Sequence, residues 1–180
     1  MAFEIVLPVP SYKRAKPVPT KQHVWRVAPG KPVLGLIDNS KFNASNLLES
    51  LARNLVERGF AASWFIIRKP NGGVTITESD RKKLFAEAGV IIAGVGDCGA
   101  CSSCTVLDSI MMSEMGLPST AIISTPFKTL ARMTCENRGC PEHGVLVVEH
   151  PIFTRKPEWL EQQAGGLIEP FLKIIQTTTH

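Results

Sequence analysis

The sequence predicts an α/β fold: a three-layer architecture with a mostly parallel sheet flanked by helices, entered through an extended N-terminal arm. Three observations carry that prediction. Short apolar runs at residues 32–37, 62–68, 90–95, 120–124 and 144–149 have the length and composition of buried strands. Segments with helical spacing of apolar residues separate them, so strand and helix alternate. Glycine, proline and cap residues stand at the joints. Strands joined through helices lie parallel, and such crossovers are right-handed. With 180 residues, 44% of them hydrophobic, the chain is long enough to bury one sizeable core. Residues 1–31 are assigned to the arm and residues 32–180 to a single α/β domain.

In the arm, Pro8, Pro10, Pro17, Pro19 and Pro29 exclude a regular helix and leave room for one short strand at residues 3–7. The domain begins with the strand at 32–37. Asp38, Asn39 and Ser40 follow as cap chemistry, with Asp38 the foremost cap. Residues 44–58 form a helix with Leu47, Leu48, Leu51, Leu55 and Val56 on one stripe, ended by Gly59. The strand at 62–68 is rich in aromatic and β-branched residues, and residues 69–73 make a loop. Thr77 caps a helix over 77–88. The strand at 90–95 is apolar throughout and runs into Gly96, Asp97, Cys98 and Gly99. A helix over 101–115 closes at Gly116 and Pro118. The fourth strand, a helical start at 128–133 and the fifth strand follow, the last ending at His150-Pro151. The final helix, 157–176, is expected to break or kink at Gly165, Gly166 and Pro170.

In parallel sheets of this kind, ligands bind outside the carboxyl ends of the strands. That rule selects residues 38–43, 68–73, 96–104, 125–127 and 150–151. Every distinctive motif of the chain falls at one of these places.

Composition narrows the classes of partner. No apolar run approaches the roughly 20 residues of a membrane span, and the first residues lack the pattern of a secretory signal. A cytoplasmic protein with no membrane partner is expected. The net charge is +4, with Lys13, Arg14, Lys16, Lys21, Arg26 and Lys31 in the arm. Without interleaved aromatics or a reader motif, this stretch reads as a solvated leader rather than a nucleic-acid-binding arm. A basic protein also suits a small anionic substrate.

The chemistry lies in the cysteines. There are five, Cys98, Cys101, Cys104, Cys135 and Cys140, all in one quarter of the chain. A disulfide framework would spread them, so clustering points to nucleophilic, redox or metal work. Cys98 and Cys101 have C-x-x-C spacing where a strand hands over to a helix. Free N–H groups and the helix dipole there favour a thiolate, the form that attacks. The second thiol, one helical turn on, resolves an adduct on the first. Asp97 can orient a proton or hold a polar group of the substrate, while its charge opposes thiolate formation. Cys104 lies on the helix, as a third active thiol or as packing. Cys135 and Cys140 bracket a loop and could form a second redox pair. A metal reading stays open beside the thiol reading. Cys98, Cys101, Cys104 and Cys140 have the order of iron–sulfur ligands. Cys98, Cys101, Cys140 and His143 have that of a zinc site.

The stretch Gly96-Asp97-Cys98-Gly99-Ala100-Cys101 resembles the signature of the UGSC family, named for selenocysteine-Gly-Ser-Cys, with cysteine in the first position. Residues 36–43 resemble that family's early Leu-x-Asp-Asn-x-Lys-Pro-Asn, Lys69-Pro70 its second-strand turn, and His150-Pro151 its late His-Pro. The resemblance spans about residues 33–175. Ala100 in place of Ser, Phe42 in place of Pro, and the extra thiol of Cys104 depart from the pattern. The three-thiol spacing is also similar to the selenoprotein B component of glycine, sarcosine and betaine reductases. The strand-Gly-Cys-helix plan resembles one half of the aspartate/glutamate racemase fold. Selenocysteine serves where an easily oxidised, low-pKa nucleophile is wanted, so the resemblance implies that Cys98 is the nucleophile.

The catalytic candidates are therefore Cys98, Cys101, Cys104, Asp97 and His150, the last as a general acid or base. Asn39, Lys41, Asn43, Lys69 and Thr125 are the substrate-binding candidates. Lys41, Asn43 and Lys69 would clamp a carboxylate or phosphate, and Thr125 would offer a hydroxyl or N–H. The expected function is a thiol-dependent reductase or lyase acting on a small anionic substrate. The alternatives are an iron–sulfur or zinc module, or a subunit of a larger reductase or lyase complex. A homo-oligomer or a hetero-complex with a partner subunit is expected.

Overall fold

A computed structural model describes residues 30–177. The strand expected at residues 3–7, and all but the end of the arm, lie outside them. Five strands form one sheet: β1 (Val33–Asp38), β2 (Ser63–Arg68), β3 (Val90–Gly96), β4 (Ser119–Ser124) and β5 (Val145–Val148). Their order is β2-β1-β3-β4-β5, and every neighbouring pair is parallel. The helices are α1 (Ala44–Glu57), α2 (Glu78–Glu87), α3 (Gly99–Glu114), α4 (Lys128–Asn137) and α5 (Pro157–Thr177).

Period-two alternation in the strands builds the three layers. Leu34, Leu36, Val90, Ile92 and Ile122 face α1 and α5, meeting Leu47, Leu48, Leu51, Leu160 and Ile168. Ile37, Ile67, Ile91 and Ala93 face the other way, onto Leu84 of α2 and Met112 of α3. On that same face Ala121 and Ile123 meet Val106 and Ile110 of α3 and Ala131 of α4. β3 is buried along its whole length, as its unbroken apolar run requires. The expected three-layer α/β fold is thus present.

Three helices differ from expectation. α3 begins at Gly99 rather than at residue 101, so Cys98 is its N-cap. α4 runs to Asn137, which puts Cys135 on a helix and not in a loop. α5 is continuous through Gly165, Gly166 and Pro170. Leu160, Ala164, Leu167, Ile168 and Phe171 anchor its inner face, whereas Gly166 and Pro170 are exposed, where water can serve the carbonyl that the proline leaves unpaired. Asp38 is not a helix cap either. It is buried and pairs with Arg68 at 2.7 Å, while Asn43, at φ 69°, stands at the N-cap of α1 without a side-chain cap bond.

The strand order decides where the site lies. From β1 the chain winds to β2, then crosses to β3 on the other side and continues outward. The carboxyl ends of β1 and β3 therefore flank the switch point, the crevice where such sheets bind ligands. Gly96 ends β3 at that point. A Cβ there would stand 2.7 Å from Ser102 Cα, so only glycine lets the first turn of α3 pack this close to the strand.

Candidate active site

Cys98 leaves β3 in extended conformation and caps α3, its sulfur accepting the N–H of Cys101 at 3.4 Å. The Cys101 sulfur accepts the N–H of Asp97 at 3.3 Å. The two sulfurs face each other, with Cα atoms 5.4 Å apart, a separation that a disulfide can span. In the dithiol form the Cys101 S–H has the Cys98 carbonyl within 3.2 Å. Each sulfur thus rests on a backbone N–H at the positive end of a four-turn helix, which stabilises negative charge on it. Exposure separates their roles. Cys98 is partly exposed, while Cys101 is 1% exposed. Gly99 and Ala100 beside Cys98 are exposed, and a Cβ on Gly99 would meet nothing within 4 Å. The space in front of Cys98 is open to a substrate.

Asp97 and His150, chosen from different strand ends, are brought together. Asp97 is buried at 8% exposure, and its Oδ1 lies 2.7 Å from His150 Nδ1. Its Oδ2 accepts the N–H of Ile152. Ser124 Oγ, at the end of β4, lies 3.2 Å from the same Nδ1, and the Phe127 ring meets the imidazole edge-on. The carboxylate fixes the ring and sets the Nδ1–H tautomer. Ser124 escaped the sequence reading. Its only signal was a hydroxyl at a strand end, one residue before the Thr125 that was selected.

The proposed substrate clamp is changed more. Asn39 is buried, donating to the Val95 carbonyl at 2.6 Å and to Thr105 Oγ1 at 3.2 Å, so it ties the ends of β1 and β3 to α3. Asn43 donates to the carbonyls of Ile152 and Arg155 and so holds the loop after His150. Lys69 is not a surface clamp. It is 2% exposed, and its Nζ binds Asp108 Oδ2 at 2.5 Å and the Val74 carbonyl at 2.7 Å. Pro70, Asn71 and Gly73, on the same turn, are exposed. Lys41 is half-buried with no side-chain partner among the described residues, and Thr125 is exposed on a 3₁₀ turn. Of the five, Lys41 and Thr125 remain open to a ligand. Asp108 was missed, although its signal was present: an acid on the inward face of α3, seven residues on from Cys101, among residues that otherwise pack.

The remaining thiols do not join the pair. Cys104 is half-buried on α3; burial pushes its pKa up, the Lys69 ammonium pulls it down, and Asp108 pushes it up again. Cys135 and Cys140 are buried with Val106, Ile110 and Ala131. Burial, helped by the neighbouring Cys140, pushes the Cys135 thiol up to about 12. A thiol held so firmly protonated is a poor redox partner. His143 Nε2 lies 2.7 Å from Ser109 Oγ, deeper along α3. Among the described residues no group of three or more His, Cys, Asp or Glu side chains is placed to hold a metal ion, so neither expected ligand set is assembled. No helix among them is long and apolar enough to cross a membrane.

Fold and site together define a class: a singly folded, parallel α/β protein with a C-x-x-C thiol pair on the helix at its switch point. The comparison with family profiles specifies it further. The UGSC family profile matches residues 4–177, and the chain belongs to the UGSC family. The match reaches into the arm that the motif resemblance left uncovered. No curated protein matches the chain. A solved structure, a diflavin flavoprotein A3 from Nostoc sp., is similar at 10% identity and a TM-score of 0.44, covering 84% of this chain and 99% of that one.

Proposed function

We propose that this protein is a thiol-dependent enzyme of the reductase or lyase type, with Cys98 as nucleophile and Cys101 as resolving thiol. One observation carries the reading: two cysteines share one helix N-terminus with Cα atoms 5.4 Å apart, the first partly exposed and the second buried. The Cys98 thiolate attacks an electrophilic carbon or sulfur of a small anionic substrate and displaces its leaving group, which takes a proton relayed from water through Nε2 of His150, held by Asp97. The Cys101 thiolate then attacks the Cys98 sulfur. The substrate residue departs with the electron pair of the broken bond and takes up a proton, and the pair is left as a disulfide. A dithiol reductant returns the two electrons. Lys41 and the first turn of α3 supply positive potential for the anionic group.

Trapping tests this. In Cys101→Ser the adduct cannot be resolved, so a panel of small anionic electrophiles leaves mass on Cys98 in intact-mass spectra. Cys98→Ser keeps the fold and abolishes both adduct and turnover. Adducts mapped to Cys104 instead, or a Cys98→Ser protein with full turnover, would sink the reading.

A further inference from the structure

The buried Lys69–Asp108 pair has no role in the chemistry above, yet it joins the two elements that enclose Cys101. Lys69 ends the β2 side of the loop leading to α2, and its ammonium binds both Asp108 on α3 and the carbonyl of Val74 further along that loop. The other oxygen of Asp108 accepts the N–H of Ile76 at 2.9 Å, on the same loop. At the near end, the Lys69 carbonyl accepts the Ser40 hydroxyl from the β1 loop. Three bonds therefore fasten the segment from Lys69 to Ile76 onto α3 and the end of β1. Between these fastenings Asn71 Oδ1 accepts the N–H of Gly73 and turns the chain. Gly72 is carried against the resolving cysteine: a Cβ at Gly72 would stand 2.9 Å from Cys101 Cβ and 3.2 Å from the Asn39 carbonyl. No side chain larger than hydrogen fits while the loop is fastened.

We propose that Lys69 and Asp108 are positioning residues, a latch that holds Gly72 over Cys101 so that substrate meets only Cys98. The inference rests on the division of labour between the two thiols. A closed Cys101 cannot react with the substrate itself, and it stays where attack on a Cys98 adduct is possible. The pair acts through the loop and touches no substrate.

The test reads cysteine accessibility on the full-length protein, reduced and then exposed to iodoacetamide, with each site followed by peptide mass spectrometry. Removing one partner alone would strand a buried charge, so the chief variant replaces both, Lys69→Met with Asp108→Leu. An apolar pair of similar size keeps the interior filled but cannot bind Val74 or Ile76. Cys101 labelling should accelerate about tenfold or more, while Cys98 labels as in the parent and Cys135, in a separate buried cluster, stays protected. Restoring the pair in swapped order, Lys69→Asp with Asp108→Lys, should not restore protection, because neither the carbonyl of Val74 nor the N–H of Ile76 then meets a complementary group. Cys101 as protected as in the parent, with Cys135 also protected, overturns the latch. If Cys135 becomes labelled, the fold has loosened and Gly72→Ala decides: it must shift the loop with the pair intact, and unchanged protection of Cys101 overturns the proposal. Failure of the nucleophile reading shows differently, as labelling in which Cys98 is no faster than Cys104.

Discussion

Removing Asp108 alone should be among the most damaging single changes available outside the apolar core. Its side chain is fully buried, and the Lys69 side chain is 1% exposed. Asp108→Ala leaves that ammonium in the interior with one neutral partner, the Val74 carbonyl. Breaking a buried pair in this way costs about 3–5 kcal/mol, because the remaining charge keeps its desolvation penalty without its attraction. The N–H of Ile76 also loses its acceptor, which adds about 1 kcal/mol or more if water does not reach it. The expected loss of about 4–6 kcal/mol is a large part of the roughly 5–15 kcal/mol that holds a domain folded. Urea denaturation at pH 7 with an unchanged m-value measures it. The Lys69→Met partner variant should behave differently with pH. Burial already pushes the Asp108 carboxyl up, and Lys69 is the chief influence pulling it down. Without Lys69 the folded-state pKa stands well above its unfolded value, so the native state binds the proton more tightly. Stability in Lys69→Met therefore rises as pH falls from neutrality through the raised pKa, and the cost of the substitution shrinks. The double replacement should lie within about 2 kcal/mol of the parent. A cost below about 1 kcal/mol for Asp108→Ala, or a double variant as unstable as the single, would show that the pair is not the buried, mutually dependent unit described.

Two further outcomes follow from the geometry. His150→Gln should lower turnover of any substrate that forms the Cys98 adduct by about 10²-fold or more, yet leave iodoacetamide labelling of Cys98 within about twofold. The imidazole contacts Asp97, Ser124 and Phe127, and in the proposed mechanism it serves the leaving group rather than the thiol; a parallel loss of labelling would reverse that assignment. Cys135→Val should protect against alkaline unfolding. The Cys135 thiol rises from 9.0 to about 12 on folding, so its contribution is complete below pH 9 and is lost as pH climbs towards 12, by about 4 kcal/mol in all. Stability curves of parent and variant that stay parallel from pH 8 to 11 would contradict this.

Local patterns made much of the architecture legible. The apolar runs at β1, β3 and β4, the leucine stripe of α1 and the Thr77 cap depend on nearest neighbours along the chain, and each is found where the pattern placed it. The strand-end rule likewise marked Cys98, Asp97 and His150, because parallel topology carries all carboxyl ends to one edge. What local pattern does not contain is the partner of each polar group. Lys69 reads as a surface cation until the fold brings Asp108, 39 residues away, against its ammonium. Asn43 reads as a ligand until the loop after β5 arrives to accept its amide. Pro170 reads as a break until α1 and β5 pack on the face that needs no help from it.

The thiol pair shows the division most clearly. Its spacing and its place at a strand-to-helix junction are properties of a six-residue stretch, so the chain alone specified two sulfurs within reach of each other at a helix N-terminus. Which sulfur meets solvent depends on Gly72, brought by a loop from β2, and on the buried pair that fastens it. Long-range packing chooses partners among groups that the linear pattern leaves equivalent, and that choice assigns Cys98 and Cys101 their different positions.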